Sequence, residues 1–456
     1  MAIVIWQGYS EPPILRHSLH VVAATLAFLL CLYLAAGCSQ PQPQPPQPVS
    51  GRRPELPPPS YAEQMGCSFT SPARAPLDSI ATQWIDVPEF SGRWAIWGST
   101  GRDKQGHLWF GVSAHDVQPP SAHLFEFAPP AARLMDRGNV VDELRKAGLL
   151  RPGEGQMKIH SRFVQAEDGH LYFSSFDEQG EDSDGSKLPT WGGHLWRLRL
   201  PDYRWEHLRA TPEALIAVAG SGRWIYALGY FNHMLYQFDC RSGQLRSRAI
   251  GAAGGHISRN FLCDHRGHCF VPRVKTGDIA APLSVALVEL SPEFVELGQT
   301  PLAHYTLTTD ETSHGITGVQ PLADQSLVFT TDQGYLYRIV PREGELAEVT
   351  PLGWMHPEGR AYVASLFTSD GSRHLMAAAT RDAAGGQALE WVVRDLATQT
   401  SRATPLELPL YQNQPVDIPL LYGSMTRDEL GNCYLAGVFH RNQDIPLLLQ
   451  IRKRSD

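Results

Sequence analysis

Lys158-Ile159-His160-Ser161-Arg162-Phe163-Val164-Gln165-Ala166-Glu167-Asp168-Gly169-His170-Leu171-Tyr172-Phe173 reads as two strands joined at an Asp-Gly turn. A polar His-x-Arg pair, His160 and Arg162, stands at the entry of the first strand. Weakened copies of this unit recur, with turn positions at Gly106, Gly169, Gly222, Gly267, Gln325, Gly371 and Gly431. The first and last lie 325 residues apart, six steps of about 54 residues, close to the repeat lengths of β-propellers. Each turn is followed by a second anchor, an alternating apolar strand such as His194-Leu195-Trp196-Arg197-Leu198 or Tyr335-Leu336-Tyr337-Arg338-Ile339. Inner strand, turn, second strand, third strand and a polar outer strand make one four-stranded blade. The fold class expected is therefore all-β, a seven-bladed propeller over residues 67–456.

The last unit ends after its third strand at Arg452, and an unassigned strand-like segment, Gln83-Trp84-Ile85-Asp86-Val87, precedes the first blade. If that segment completes the last blade, the ring closes and no raw sheet edge remains to template aggregation. An eighth blade would have to come from the region between Cys67 and Asp86, which is too short. One insertion, Val140-Val141-Asp142-Glu143-Leu144-Arg145-Lys146-Ala147-Gly148, has helical apolar spacing and a glycine stop, and is expected as a short helix between blades 1 and 2.

Hydrophobic content of 43% with 19% charge over 456 residues fits a large folded core, and 40 Gly with 35 Pro fits a fold rich in turns. The net charge of -8 comes without basic blocks, which gives no footprint for nucleic-acid binding. Residues 1–37 read as a targeting segment: Arg16 precedes an apolar run from Val21 to Ala36, and Leu34-Ala35-Ala36-Gly37-Cys38 resembles the lipobox of bacterial lipoproteins. The resemblance implies lipidation at Cys38, an anchor in a bacterial membrane, and a cell-envelope location facing the periplasm or the exterior. Residues 38–66 are then a Pro/Gln-rich stand-off linker, too polar to fold and biased to an extended form. Of the cysteines left after such processing, Cys263 and Cys269 flank a tight turn and are expected to face each other as a disulfide. Cys67, Cys240 and Cys433 have no assigned partner.

Equivalent inner-strand positions converge on the axis of a propeller. The level of His160 in the other units carries Trp97, Glu213, His256, Tyr362 and Tyr422, with His314 two places before Ile316 in the fifth. Eight residues of strand span about 26 Å, so this layer lies at the mouth opposite the turns. Histidine, tyrosine, tryptophan and glutamate there, in place of Val, Ile and Ala, mark a binding site or a wet channel lining. Arg162 is expected on the His160 face, and Arg259, three residues after His256, toward the blade interface. There is no nucleophile elbow, no His-Glu-x-x-His, no phosphate loop and no dinucleotide fingerprint. The loop Asp177-Glu178-Gln179-Gly180-Glu181-Asp182-Ser183-Asp184-Gly185-Ser186 has a calcium-loop fragment without the closing Glu, so a solvated acidic loop is the better account and no metal or other cofactor is assigned.

The segments around Lys158 to Phe173, Gly192-Gly193-His194-Leu195-Trp196 and Gly255-His256 through Phe270 resemble exported bacterial propellers, and more distantly the propeller lyases of the oligogalacturonate, ulvan and streptogramin types. That resemblance implies β-elimination, with His160 or His256 as base, Arg162 as carboxylate clamp and Tyr362 or Tyr422 as acid. The late-blade metal ligands of the oligogalacturonate lyases have no counterpart here, nor has the late His/Glu set of the streptogramin lyases. The expectation is an envelope propeller whose axial pocket binds a ligand or protein partner, an acidic glycan among them. A metal-independent uronate lyase is the alternative, followed by a lactonase or other hydrolase.

Overall fold

The structure, a computed structural model, describes residues 80–453 except 89–93, 183–184, 254–255, 277–282, 307–313, 369–370, 385, 418–420, 422–425, 429 and 441–443. Cys38, Cys67, Tyr422, the targeting segment and the linker lie outside the described residues.

Seven antiparallel sheets follow one another along the chain, each with four strand positions ordered from inner to outer. Blade 3 shows the unit whole: Leu215–Ser221, Trp224–Gly229, Met234–Asp239 and Leu245–Ala249. Blade 7 is closed by the N-terminal strand, as expected, though three residues upstream of the expected position. Ile80–Trp84 pairs antiparallel with Asp444–Lys453, from Ile80 opposite Lys453 to Trp84 opposite Leu449. Thr82 Oγ1 donates to Glu407 O at 2.7 Å and Trp84 Nε1 to Pro409 O at 2.9 Å, which fastens the strand to the segment leaving blade 6. The fold is an all-β seven-bladed propeller.

The inner hairpins show why a turn glycine recurs. In blades 1, 2, 4, 5 and 7 the closing residue donates its N–H four residues on: Asp103 to His107 O, Ala166 to His170 O, Asp264 to His268 O, Leu322 to Ser326 O and Asp428 to Asn432 O. This is a three-residue loop whose last member is left-handed. Gly267 takes that place at φ 85° in blade 4, and Gln325 takes it at φ 67° in blade 5, where a side chain bears strain that glycine avoids. The closing aspartates are buried and fully used. Asp103 accepts from His107 N and Trp109 Nε1, both at 2.9 Å, and Asp428 from Asn432 N at 2.9 Å and Tyr434 OH at 2.8 Å. Blade 3 differs, because Ser221 stands opposite Trp224 across only two loop residues.

The insertion is a helix over Val140–Lys146. Asn139 caps it by accepting from Asp142 N at 3.0 Å, and Val140, Val141 and Leu144 are its buried face. Val140 and Leu144 pack with Trp109, Phe163, Phe173, Trp196 and Trp205 between blades 1 and 2. The inner strands of blades 1, 2 and 6 are interrupted. Blade 1 uses Trp94–Ala95 and then Thr100–Arg102, blade 2 Lys158–Ile159 and then Val164–Gln165, and blade 6 Tyr362–Val363 and then Phe367–Thr368. The gaps in blades 1 and 2 hold Trp97 and His160.

Candidate functional site

His160 lies six residues before its closing residue, Ala166, and the same count fixes the level in the other blades. Trp97 precedes Asp103 by six and Ile316 precedes Leu322 by six. In blade 4 the level falls on Ser258, with His256 two residues beyond it. In blade 3 it falls on Leu215, because the two-residue loop moves the glycine relative to the closing pair; Glu213 therefore sits two residues off the level.

Arg259 is the hub of the layer. Its Nη1 donates to Trp97 O at 2.8 Å and to His160 Nε2 at 2.9 Å, and its Nη2 donates to His314 Nε2 at 3.2 Å. A side chain from blade 4 that touches blades 1, 2 and 5 has to reach across the axis. The expectation that Arg259 turns into a blade interface is thus corrected. The expectation for Arg162 rested on a regular strand, and the strand is interrupted from His160 to Phe163; the guanidinium bonded to His160 belongs to Arg259.

The histidines around Arg259 are neutral acceptors. His160 Nδ1 donates to Ile216 O at 3.1 Å, so its Nε2 carries the lone pair that Arg259 uses. Burial, then Arg259 and Lys158, hold its pKa well below the ordinary imidazole value. Burial, then Arg259 and His256, do the same for His314. Tyr362 packs edge-on against His314 with ring centroids 5.3 Å apart.

Other groups complete the layer that the count along the sequence did not reach. Lys158 Nζ binds Glu178 Oε1 at 2.6 Å and lies 5.0 Å from the Trp97 ring centroid. Tyr230 OH donates to the same carboxylate oxygen at 3.3 Å, and burial, then Glu178, raise its pKa well above the ordinary value. Lys158 was visible as the residue two places before His160. Tyr230 and Glu178 follow second strands, which an inner-strand count passes over.

Two predicted members bond to tyrosines. Glu213 is buried, and its Oε2 accepts from Tyr236 OH on the third strand of blade 3. His256 is buried and bonds through Nε2 to Tyr305 OH at 3.1 Å, with the His233 ring 5.4 Å away. Tyr305 OH donates onward to Ser258 Oγ at 3.4 Å, which makes His256 Nε2 the protonated nitrogen. A side chain at Gly315, where φ is +60°, would collide with the Tyr305 hydroxyl, so glycine leaves room for this chain. Burial, then His233, hold His256 well below its ordinary pKa.

Cys263 and Cys269 stand directly opposite each other, as expected, and both are free buried thiols in this structure. In the acidic loop, Asp177 Oδ2 accepts from Gln179 N at 3.0 Å, and burial raises the Asp177 pKa to about 6. Among the described residues no group of three or more His, Cys, Asp or Glu is placed to hold a metal ion.

No family model matches this chain, and no curated protein matches it. Several solved structures are similar to it. YCF48 from Cyanidioschyzon merolae is 11% identical with a TM-score of 0.48, covering 81% of this chain and 98% of that one. Two extracellular domains of proteins described as hybrid two-component systems of B. thetaiotaomicron are 13% and 12% identical, with TM-scores of 0.47 and 0.45. They cover 82% and 80% of this chain, which spans 42% and 40% of theirs. The class, a seven-bladed β-propeller, rests on the chain's own seven sheets. Among the described residues no helix is long and apolar enough to cross a membrane.

Proposed function

We propose that this protein is an envelope-anchored binding propeller that takes an anionic ligand, an acidic glycan or an acidic group of a partner, at the Arg259 end of its axis. The observation that carries this reading is the way Arg259 is held. Two imidazole nitrogens and a carbonyl, all uncharged, orient the guanidinium from three blades. Those contacts fix its geometry, and an oriented guanidinium is matched to a carboxylate. The Trp97 ring, with the Glu178-paired Lys158 ammonium 5.0 Å from its centroid, adds an aromatic wall. Anchoring rests on Cys38 and the linker behind it. It is tested by metabolic labelling with a fatty acid, which wild type should incorporate and Cys38→Ala should not.

Binding accounts for the geometry better than β-elimination. A general base must offer a lone pair to the substrate C–H, and the His160 lone pair is spent on Arg259 while its other nitrogen donates to Ile216 O. Calorimetric titration with oligogalacturonate as probe tests the reading. Wild type should bind the acidic oligosaccharide and ignore its neutral analogue, and Arg259→Ala should weaken binding at least tenfold, about 1.4 kcal/mol. Equal binding by both proteins would overturn the assignment, and accumulation of an unsaturated, ultraviolet-absorbing product would replace binding with lyase activity.

A further inference from the structure

We propose that Cys263 and Cys269 form a disulfide that staples the inner hairpin of blade 4, the segment that carries Arg259 to the axis. Four observations converge on it. Cys263 and Cys269 are register partners in an antiparallel pair, so their side chains project from the same face. The pair just outside the loop, Asp264 and His268, is the hydrogen-bonded one, with Asp264 N donating to His268 O at 2.9 Å. Hydrogen-bonded and non-hydrogen-bonded pairs alternate along an antiparallel ladder, so Cys263 and Cys269 occupy the non-hydrogen-bonded kind. There the Cα atoms stand about 4.5 Å apart and the side chains are closest, within the span that a disulfide bridges.

The ladder of this hairpin is also short. Its inner strand in the ladder is Leu262–Cys263 alone, two residues, where blade 3 has seven and blade 5 six. The residues just upstream lean on the neighbouring blade instead: Arg259 N donates to His314 O at 3.0 Å, Asn260 N to Ile316 O at 2.9 Å, and Asn260 Nδ2 to Thr317 O at 2.6 Å. A covalent tie at 263–269 fixes the base of the segment whose upper end is the axial hub.

Both thiols are fully buried within one apolar cluster, and burial pushes both pKa values up, with each thiol facing the Asp264 charge. Neither is open to an oxidant once the blade has packed, so the bond forms on the unfolded chain and is shielded afterwards. The oxidant is a protein dithiol oxidoreductase in its disulfide form. One Cys thiolate attacks that disulfide, a mixed disulfide results, and the second Cys thiolate displaces the enzyme thiolate. Two S–H groups become one S–S bond, and the enzyme's disulfide becomes two thiols. This step rests on the exported reading for its compartment.

The test uses the full chain in two preparations: secreted by an exporting host, and refolded from urea in a buffer of reduced and oxidised glutathione. Each is denatured in iodoacetamide and its peptides are weighed. The expected result is that the peptide spanning 263 and 269 is unalkylated and lighter by two hydrogen atoms, while Cys240 is alkylated. Full alkylation of Cys263 and Cys269 after oxidative refolding would overturn the proposal. A bond in the refolded sample but not in the exported one would support the pairing and overturn the exported reading instead. Hydrogen exchange then reads the stapling. Amides of 262–270 should exchange at least tenfold faster in protein refolded with reductant than in the oxidised form, and equal rates would overturn the structural role.

Discussion

The two ends of the inner strands are built on opposite chemistry. At the turn end, buried carboxylates recur. Asp103, Asp264 and Asp428 each close a hairpin and accept the N–H four residues on, at 2.9 Å in all three. At the mouth end nothing recurs, and a single arginine is tied to imidazoles and a carbonyl drawn from three other blades. The repeated end satisfies local backbone donors and would serve any propeller. The unrepeated end brings together residues far apart in sequence, 162 positions from Trp97 to Arg259 and 55 from Arg259 to His314, and local folding has no use for that arrangement.

Acid should act on the mouth end most strongly. His160, His256 and His314 have folded-state pKa values well below 6.5, and burial brings His233 down to about 4. The unfolded chain takes up protons near pH 6.5 where the folded chain does not. Stability is therefore complete above that pH and is lost as pH falls toward 4, by about 1.4 kcal/mol per pH unit for each such imidazole. Asp332 and Asp177, raised by burial to about 7 and about 6, act in the opposite sense, since the folded state keeps their protons longer. Four imidazoles outweigh two carboxyls, so urea midpoints should fall between pH 7 and pH 5. His160→Gln should flatten that slope, and a midpoint that holds steady across the window would break the picture of neutral, buried imidazoles.

The turn end is broken by Asp103→Ala. It strands the buried Trp109 indole N–H and the His107 N–H, at a cost of about 3 kcal/mol in urea unfolding, whereas Asp103→Asn keeps an acceptor and should cost less. A loss under 1 kcal/mol for the alanine variant would mean that the closing carboxylates are incidental. Gln325→Gly sharpens the same rule in the stabilising direction. Relieving the left-handed backbone at φ 67° should add up to about 1 kcal/mol, read as a rise in the urea midpoint. The smallest effect is expected from Glu213→Gln, which leaves ligand affinity unchanged because its carboxylate faces Tyr236 inside blade 3.

The repeat was legible because its parts are local. An Asp-Gly turn, a left-handed position and an alternating strand lie within about fifteen residues of one another, and each is written in residue types that few other structures need. The closing N-terminal strand was legible from the missing partner of the last blade. The site was read less well, for two identifiable reasons. Counting back from the glycine assumes one loop length, and the two-residue loop of blade 3 shifts the glycine, which promoted Glu213 over Leu215. Alternation along a strand assumes an unbroken strand, and the strand is interrupted between Ile159 and Val164, so alternation no longer assigns Arg162 a face. Arg259 was in view as the residue three after His256, but was expected at the blade interface. Its reach across the axis depends on three other blades, which no local pattern encodes.

The central claim is that Arg259 meets the acidic group of the ligand at the axial mouth. Its most direct test is a thermodynamic cycle, in which wild type and Arg259→Ala are each titrated with oligogalacturonate and with the same oligosaccharide after its carboxyls are reduced to alcohols. Both single changes should weaken binding at least tenfold, and the double change should be no worse than either alone, because each removes one side of the same contact. Fully additive losses, or an Arg259→Ala protein that still prefers the acidic oligosaccharide, would contradict the account.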